Sequence, residues 1–350
     1  MDSEEKPGVA SQELAVIPDQ SPWKWPTIHG LLPRSIPTTE STAVTESFAD
    51  VCLAWLVRSP STATREAYAR DVQLFLRFAG IHPDHVGQLA QVRPLDVASW
   101  RDHLLGRGLA NSSVARKITV LRSLFAFLQV HGLAAVNPAH RDFVATPPVP
   151  RDGKTVGLSP EECRHFLDAP SLEFPVGLRD RALLAVLAFT GCRVGELCRL
   201  RVGDYKTTSG HKIVEIRGKG GKERRVPLNP EAFERIESWL EIAEIREDAD
   251  GALFRPTRTA RGRGCKGFQP RPFTPRAVQF LVAGYVRRLR LDSAVTAHSF
   301  RVTALTTARE RGCDMVDLQD FAGHSDPKTT LSYIRNRDRL CKSPAYVLVY

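Results

Sequence analysis

From about residue 43 to 138 the apolar positions recur with a helical period. Tyr68, Val72, Phe75, Leu76 and Ala79 fall at i, i+4, i+7, i+8 and i+11, which places them on one face of a helix. Trp100, Leu104 and Leu105 mark a second amphipathic helix. Val114, Ile118, Leu121, Phe125 and Leu128 mark a third, for which Asn111 or Ser112 would be the N-cap. These stripes predict a helical domain over 43–138. Residues 1–42 are rich in Pro, Ser, Thr and Glu and show no sustained period, which predicts a flexible arm with Trp23 and Trp25 as its anchoring residues. Pro147, Pro148, Pro150, Gly153 and Gly157 break any period from 139 to 157 and predict an extended linker.

A second domain is expected over 158–350. It opens at Ser159-Pro160-Glu161-Glu162, where Ser159 caps a helix, Pro160 suits its first turn and Glu162 closes a capping box. Leu183 to Phe189 is an apolar helix core closed by Gly191. Lys212 to Arg217 alternates as a strand, Gly218 to Gly221 turns, and Glu223 to Leu228 returns as its hairpin mate. Helical patterns follow at about 230–246, 275–290, 297–311, 314–322 and 326–336, with a basic loop over 256–271. The expected fold is mainly α with a small antiparallel β-sheet, in two domains.

Composition narrows the partner. Lys and Arg number 49 against 39 acidic residues, a net charge of +10, which favours a polyanion. The distribution says more. From Gly251 to Leu291 there is no Asp or Glu, yet ten basic residues occur, Arg263 and Lys266 among them. So dense a run of like charge suits a surface that tracks phosphates. The polar face of the third predicted helix, with Arg116, Lys117, Thr119, Arg122 and Ser123, suits phosphates and groove edges in the same way. Seven cysteines, an odd number with no CxxC pair, fit neither a disulfide framework nor a zinc site. They point to reduced thiols and a cytoplasmic protein. No apolar run is long enough for a membrane span, and the acidic start is unlike a secretory signal. No His, Cys and carboxylate pattern has metal-ligand spacing, so neither metal nor cofactor is expected.

Four segments concentrate reactive residue types: Thr190-Gly191-Cys192-Arg193-Val194-Gly195-Glu196-Leu197; Gly218-Lys219-Gly220-Gly221-Lys222-Glu223-Arg224; His298-Ser299-Phe300-Arg301; and Ala322-Gly323-His324, followed nine positions later by Tyr333. Each alone is common. Their order and spacing resemble the tyrosine recombinase (phage integrase) family, including Xer-type site-specific recombinases, over roughly 43–350. The resemblance implies a helical SAM-like core-binding domain, a mixed α/β integrase catalytic domain, and catalytic roles for Arg193, Lys219, His298, Arg301, His324 and Tyr333.

The chemistry accounts for these types. Transesterification of DNA needs a nucleophile, stabilisation of charge on the phosphoryl oxygens, and an acid for the leaving group. The resemblance makes Tyr333 the nucleophile, forming a 3′-phosphotyrosyl bond and releasing a 5′-hydroxyl. Arg193 and Arg301 have the planar forks that bind non-bridging oxygens. His298, three residues before Arg301 on one helix face, would move a proton or bind the phosphate. Lys219 on its turn would protonate the leaving oxygen, a role for which Lys222 competes. Glu196 would orient the cluster. Val302 follows Arg301 where many relatives carry a histidine. The expected partners are double-stranded DNA, contacted also by Arg116, Lys117, Arg122, Lys222, Arg263 and Lys266, and three further copies of the chain in a homo-tetramer on synapsed sites that resolves a Holliday junction. Accessory DNA-bending or directionality proteins would join them, and the terminal run Val347 to Tyr350 would dock on a neighbouring copy. Two other readings use much the same residues: a type IB topoisomerase that relaxes DNA alone, and a DNA-binding regulator without catalysis.

Overall fold

The computed structural model describes residues 47–149, 155–218, 221–260 and 263–333. The chain divides into two compact units, Met1–Val149 and Pro150–Tyr350.

The first unit is helical: α1 (Phe48–Val57), α2 (Thr62–Ala79), a 3-10 segment (Pro83–Gln91), α3 (Pro94–Gly106) and α4 (Asn111–Val130). The side chains of Ser47 and Ser61 accept from the backbone N–H of Asp50 and Thr64 and start α1 and α2. The third apolar stripe is buried as its period predicts, with Val114, Ile118, Leu121, Phe125 and Leu128 all in the core. Phe75 on α2 meets Trp100 on α3 edge to face, with ring centroids 5.2 Å apart. The start of α4 differs from expectation. Ala110 takes the N-cap position without a side-chain bond, while Asn111 lies within the helix and its amide donates to the carbonyl of Pro148 at 2.9 Å.

The polar face of α4 also serves another purpose than the one its charges suggest. Arg116 and Lys117 converge on Asp71 of α2, a carboxylate 2 % exposed; Lys117 Nζ lies 2.5 Å from Asp71 Oδ1 and Arg116 Nη2 3.0 Å from it. Arg122 Nε donates to the carbonyl of Ala139 at 2.6 Å, and its Nη2 donates to the carbonyl of Val144. That fork folds the following segment back, so Ala139 and Val144 are core residues although their neighbourhood reads as linker. Lys117 and Arg122 thus spend donors on ties within the unit. A buried carboxylate needs cationic partners, and the two main-chain carbonyls of Ala139 and Val144 need donors. Arg116 keeps half of its side chain exposed.

The second unit begins with α5 (Pro160–Asp168), whose Ser159–Glu162 capping box is closed in both directions. There follow α6 (Pro175–Thr190), the single turn α7 (Val194–Leu197), strands β1 (Tyr205–Thr208), β2 (His211–Arg217) and β3 (Glu223–Pro227), and α8 (Pro230–Ala243). Then come β4 (Thr257–Ala260), β5 (Arg263–Phe268), α9 (Pro275–Leu289), α10 (Ala297–Glu310), α11 (Met315–Ala322) and α12 (Pro327–Tyr333). Helix α6 is buried nearly all round and packs against α8 and α10. The core brings Phe166 of α5 edge to face with Phe300 of α10 at 5.0 Å. Strands β1, β2 and β3 form one antiparallel sheet in that order, with Val214 of β2 opposite Tyr205 on one side and Val226 on the other. The segment read as a basic loop is instead an irregular hairpin, β4 against β5, and Phe268 stands perpendicular to Trp239 at 4.7 Å. Its charge density masks the alternation that would have marked strands. No helix among the described residues is long and apolar enough to cross a membrane.

Candidate active site

Arg301 is the centre of the site. It lies on α10, 1 % exposed, between the ends of two other helices. Helix α6 stops at Gly191, whose left-handed φ of 56° ends the helix and turns its carbonyl to Arg301 Nη1 at 2.6 Å. A Cβ at that position would meet the Phe321 ring at 3.2 Å. Helix α11 ends at Gly323, and the carbonyl of Ala322 accepts from Arg301 Nη2, also at 2.6 Å. Two helix C-termini, each with partial negative charge, therefore hold one guanidinium. Burial and the nearby Arg193 pull its pKa down to about 10, which leaves it charged at neutral pH. Its Nε is buried and has no hydrogen-bond partner among the described residues.

Arg193 caps α7, and its backbone N–H donates to Glu196 Oε2 at 3.0 Å. Its Nη1 donates to Glu196 Oε1 at 2.9 Å. Glu196 is buried, and burial alone would raise its pKa. The guanidinium of Arg224 and the Arg193 backbone and side chain outweigh that and hold it below the usual carboxylate range. The Arg193 side chain remains 40 % exposed, so its remaining donors can reach a ligand. It opens into a cleft of about 970 Å³ shared with Lys222, Arg224, His324 and Ser325. Lys222 Nζ stands 3.4 Å from Ser325 Oγ there.

The two histidines flank the tyrosine. His324 Nε2 is 2.6 Å from Arg301 Nη2, and its Nδ1 is 2.9 Å from Thr330 Oγ1. A guanidinium only donates, so Nε2 must accept and Nδ1 carries the proton toward Thr330. This is the neutral tautomer. Burial first, then the charges of Arg301 and Arg193, push the His324 pKa down to about 4. Burial, Arg301 and Arg193 lower the pKa of His298 as well. The ring of Tyr333, at the end of α12, lies 5.1 Å from that of His324 and 5.2 Å from that of His298. The Arg301 guanidinium carbon sits 5.3 Å from its centroid. The Tyr333 carbonyl accepts from Thr306 of α10.

A sequence model of the Phage integrase family matches residues 157–339, and one of its N-terminal SAM-like domain matches residues 54–132. The chain belongs to the phage integrase family. Among curated relatives, the tyrosine recombinase XerC of Xanthomonas campestris pv. campestris is 32% identical over 279 residues, 79% of each chain. That of Pelobacter propionicus is 31% identical over 287 residues, 81% of this chain and 88% of the relative. The fold is shared with XerH site-specific recombinase bound to palindromic difH substrate in a post-cleavage complex (TM-score 0.61, 19% identity, 81% of this chain, 84% of that chain). It is shared also with the Tn1549 transposon integrase in complex with circular intermediate DNA (TM-score 0.60, 18% identity, 85% and 99%). The chain is thus a tyrosine recombinase, of an enzyme class that cleaves and rejoins DNA, in the two-domain, mainly helical architecture of that family.

Within this recombinase, five of the six positions taken as catalytic come together: His298, His324 and Tyr333 lie about the Arg301 guanidinium, and Arg193 lines the cleft that His324 also lines. Lys219, the Arg263 and Lys266 side chains, the arm 1–42 and the terminal run Val347 to Tyr350 lie outside the described residues. Arg116, Lys117 and Arg122 belong to the helical unit. Sequence reasoning gave no role to Arg224 or Thr330. Arg224 sits in a quoted motif, but its partners are 28 and 97 residues away. Thr330 carries no signal beyond its place between His324 and Tyr333.

Proposed function

We propose that this recombinase is a site-specific DNA strand-exchange enzyme that works through a 3′-phosphotyrosyl intermediate at Tyr333. The observation that carries the reading is the buried Arg301, with an unsatisfied Nε, lying against the Tyr333 ring with a histidine on either side. An unsatisfied buried donor is costly in an ordinary core and useful where an oxyanion is to bind. Arg301 and Arg193 take the non-bridging oxygens of the scissile phosphate. The Tyr333 oxygen bonds to phosphorus as the bond to the 5′-oxygen breaks. A phenol has a pKa near 10, so its proton needs an acceptor. Neutral His298 beside it is suited to take that proton, and a neutral imidazole is what its lowered pKa provides. Lys219 delivers a proton to the departing 5′-oxygen, and Lys222, which lines the cleft beside Arg193, is its rival for that role. The phosphodiester's energy is kept in the new ester, so the reverse attack by a 5′-hydroxyl rejoins a strand without ATP. No metal is invoked, since guanidinium groups supply the charge.

The helical unit over 43–138, extended by the packed segment that carries Ala139 and Val144, and the catalytic unit over 158–350 form the working division of the chain. Double-stranded DNA is its substrate, a reading supported by the relatives captured with DNA. The basic residues Arg116, Lys222, Arg263 and Lys266 contribute backbone contacts. Four copies synapse two sites and exchange strands in pairs through a Holliday junction, in the cytoplasm.

The test is covalent capture. Nicked duplexes drawn from a randomised library are incubated with wild type and with Tyr333→Phe, and protein–DNA adducts are resolved under denaturing conditions. Adducts are expected with wild type alone. Absence of adducts over the whole wild-type library, or their persistence in Tyr333→Phe, removes the claim. A sequence-selective library output separates recombination from a topoisomerase that acts at many sites.

A further inference from the structure

We infer that Arg224 is a positioning residue that keeps Arg193 available to the phosphate by sharing Glu196 with it and bracing it against the end of α11. This rests on the function proposed above. Arg224 projects from β3 and is mostly buried. Its Nη2 donates to Glu196 Oε2 at 2.8 Å, and its Nε donates to the carbonyl of Phe321 at 3.0 Å. The side chain therefore joins three pieces: the hairpin that carries Lys222, the turn that carries Arg193, and the helix end that precedes His324.

The local sequence is shaped to admit it. Gly323 has φ 63°, and a Cβ there would stand 3.0 Å from Arg224 Nη1 and 3.4 Å from its Cδ and Cζ. A Cβ at Gly218 would meet Lys222 O at 3.3 Å and Glu196 Oε1 at 3.8 Å. Glycine at these two positions lets the hairpin and the helix end close around the guanidinium.

The electrostatic argument concerns a competition. The Glu196 carboxylate is buried and needs cationic partners. At present Oε1 takes Arg193 Nη1, while Oε2 takes the Arg193 backbone N–H and Arg224. Without Arg224, Oε2 is left short of charge. The nearest replacement is a second bond from the Arg193 side chain, which would turn that guanidinium into a bidentate partner of Glu196 and away from the cleft. Arg224 touches no reacting atom in this scheme. It sets how much of Arg193 is left for the substrate.

The experiment uses the full chain and a nicked duplex recovered by covalent capture on wild type. Single-turnover cleavage is measured against DNA concentration for wild type, Arg224→Gln, Arg224→Lys and the double variant Glu196→Gln/Arg224→Gln. Arg224→Gln is expected to lower the limiting cleavage rate about a hundredfold or more, with the half-saturating DNA concentration changed by less than about threefold. Arg224→Lys keeps the charge near Glu196 but cannot fork to the Phe321 carbonyl, and is expected to lose only about tenfold. The double variant removes the carboxylate that would capture Arg193, so it is expected to cleave faster than Arg224→Gln alone. A merely structural arginine gives the opposite, a double variant slower than Arg224→Gln alone. That outcome, or an Arg224→Gln rate within about threefold of wild type, overturns the inference. If Arg224→Gln does not fold, Arg224→Lys decides the matter by the same split between rate and half-saturation. A wild type that captures no DNA would instead bring down the proposed function, and the positioning role with it.

Discussion

The protonation state of His324 can be tested through stability without any DNA. In the folded chain Nε2 accepts from Arg301, so a proton on that nitrogen would break the bond and set two cations face to face. The folded pKa is pushed down to about 4 from an ordinary value of 6.5. Because the folded value is the lower one, the unfolded chain takes up the proton first as pH falls. The stability is therefore complete above the unfolded pKa, and it drains away as pH drops from 6.5 toward 4. At pH 5 the unfolded imidazole is almost wholly protonated and the folded one almost wholly neutral. The linkage integral between pH 7.5 and 5 comes to about 2 kcal/mol lost. The control is His324→Gln, whose amide can accept from Arg301 and donate to Thr330 without titrating. Other groups, His298 included, titrate alike in both proteins and cancel in the difference. Urea unfolding followed by circular dichroism at pH 7.5, 6 and 5 should show wild type losing about 2 kcal/mol more than His324→Gln. Losses equal to within about 0.5 kcal/mol would mean that the neutral tautomer and its bond to Arg301 have been assigned wrongly.

Two further outcomes follow from the same geometry. Asp71→Asn leaves Lys117 buried without its counter-charge, and should destabilise the helical unit by about 3–5 kcal/mol in urea unfolding, whereas Arg116→Ala, half exposed, should cost about 1 kcal/mol or less. Arg301→Lys replaces a fork that reaches two helix ends and a histidine with one ammonium. Single-turnover cleavage of captured DNA should fall by about 10²–10³, and a rate within about tenfold of wild type would contradict the role given to the guanidinium.

The sequence shows some parts of this molecule more plainly than others. The α4 stripe is legible because five large apolar residues repeat over four turns, and the Ser159–Glu162 box because capping depends on neighbours three residues apart. The order of the reactive residues is legible as a resemblance, whereas the part that the carbonyls of Gly191 and Ala322 play in holding Arg301 is not, since a main-chain group carries no letter. Strand β1 is four residues long and hairpin β4–β5 has register shifts, so neither offers enough alternation to count. The internal partners of the basic face of α4 are hidden for a different reason. Charge on a helix looks the same whether its partner is a phosphate or a carboxylate, and Asp71 lies 46 residues before Lys117. Arg224 was hidden for the same reason.

The orphaned Nε of Arg301 has a consequence for fidelity. A buried donor with nothing to donate to costs about 1–3 kcal/mol. An oxygen that arrives at the right place removes that cost, and one displaced by about an ångström does not. The guanidinium's other bonds go to two main-chain carbonyls and to the His324 ring, a frame that holds it against turning to meet a misplaced guest. On the proposed function the site therefore rewards one seating of the phosphate over its near neighbours before any bond is broken. It acts as a gauge of alignment as well as a source of charge.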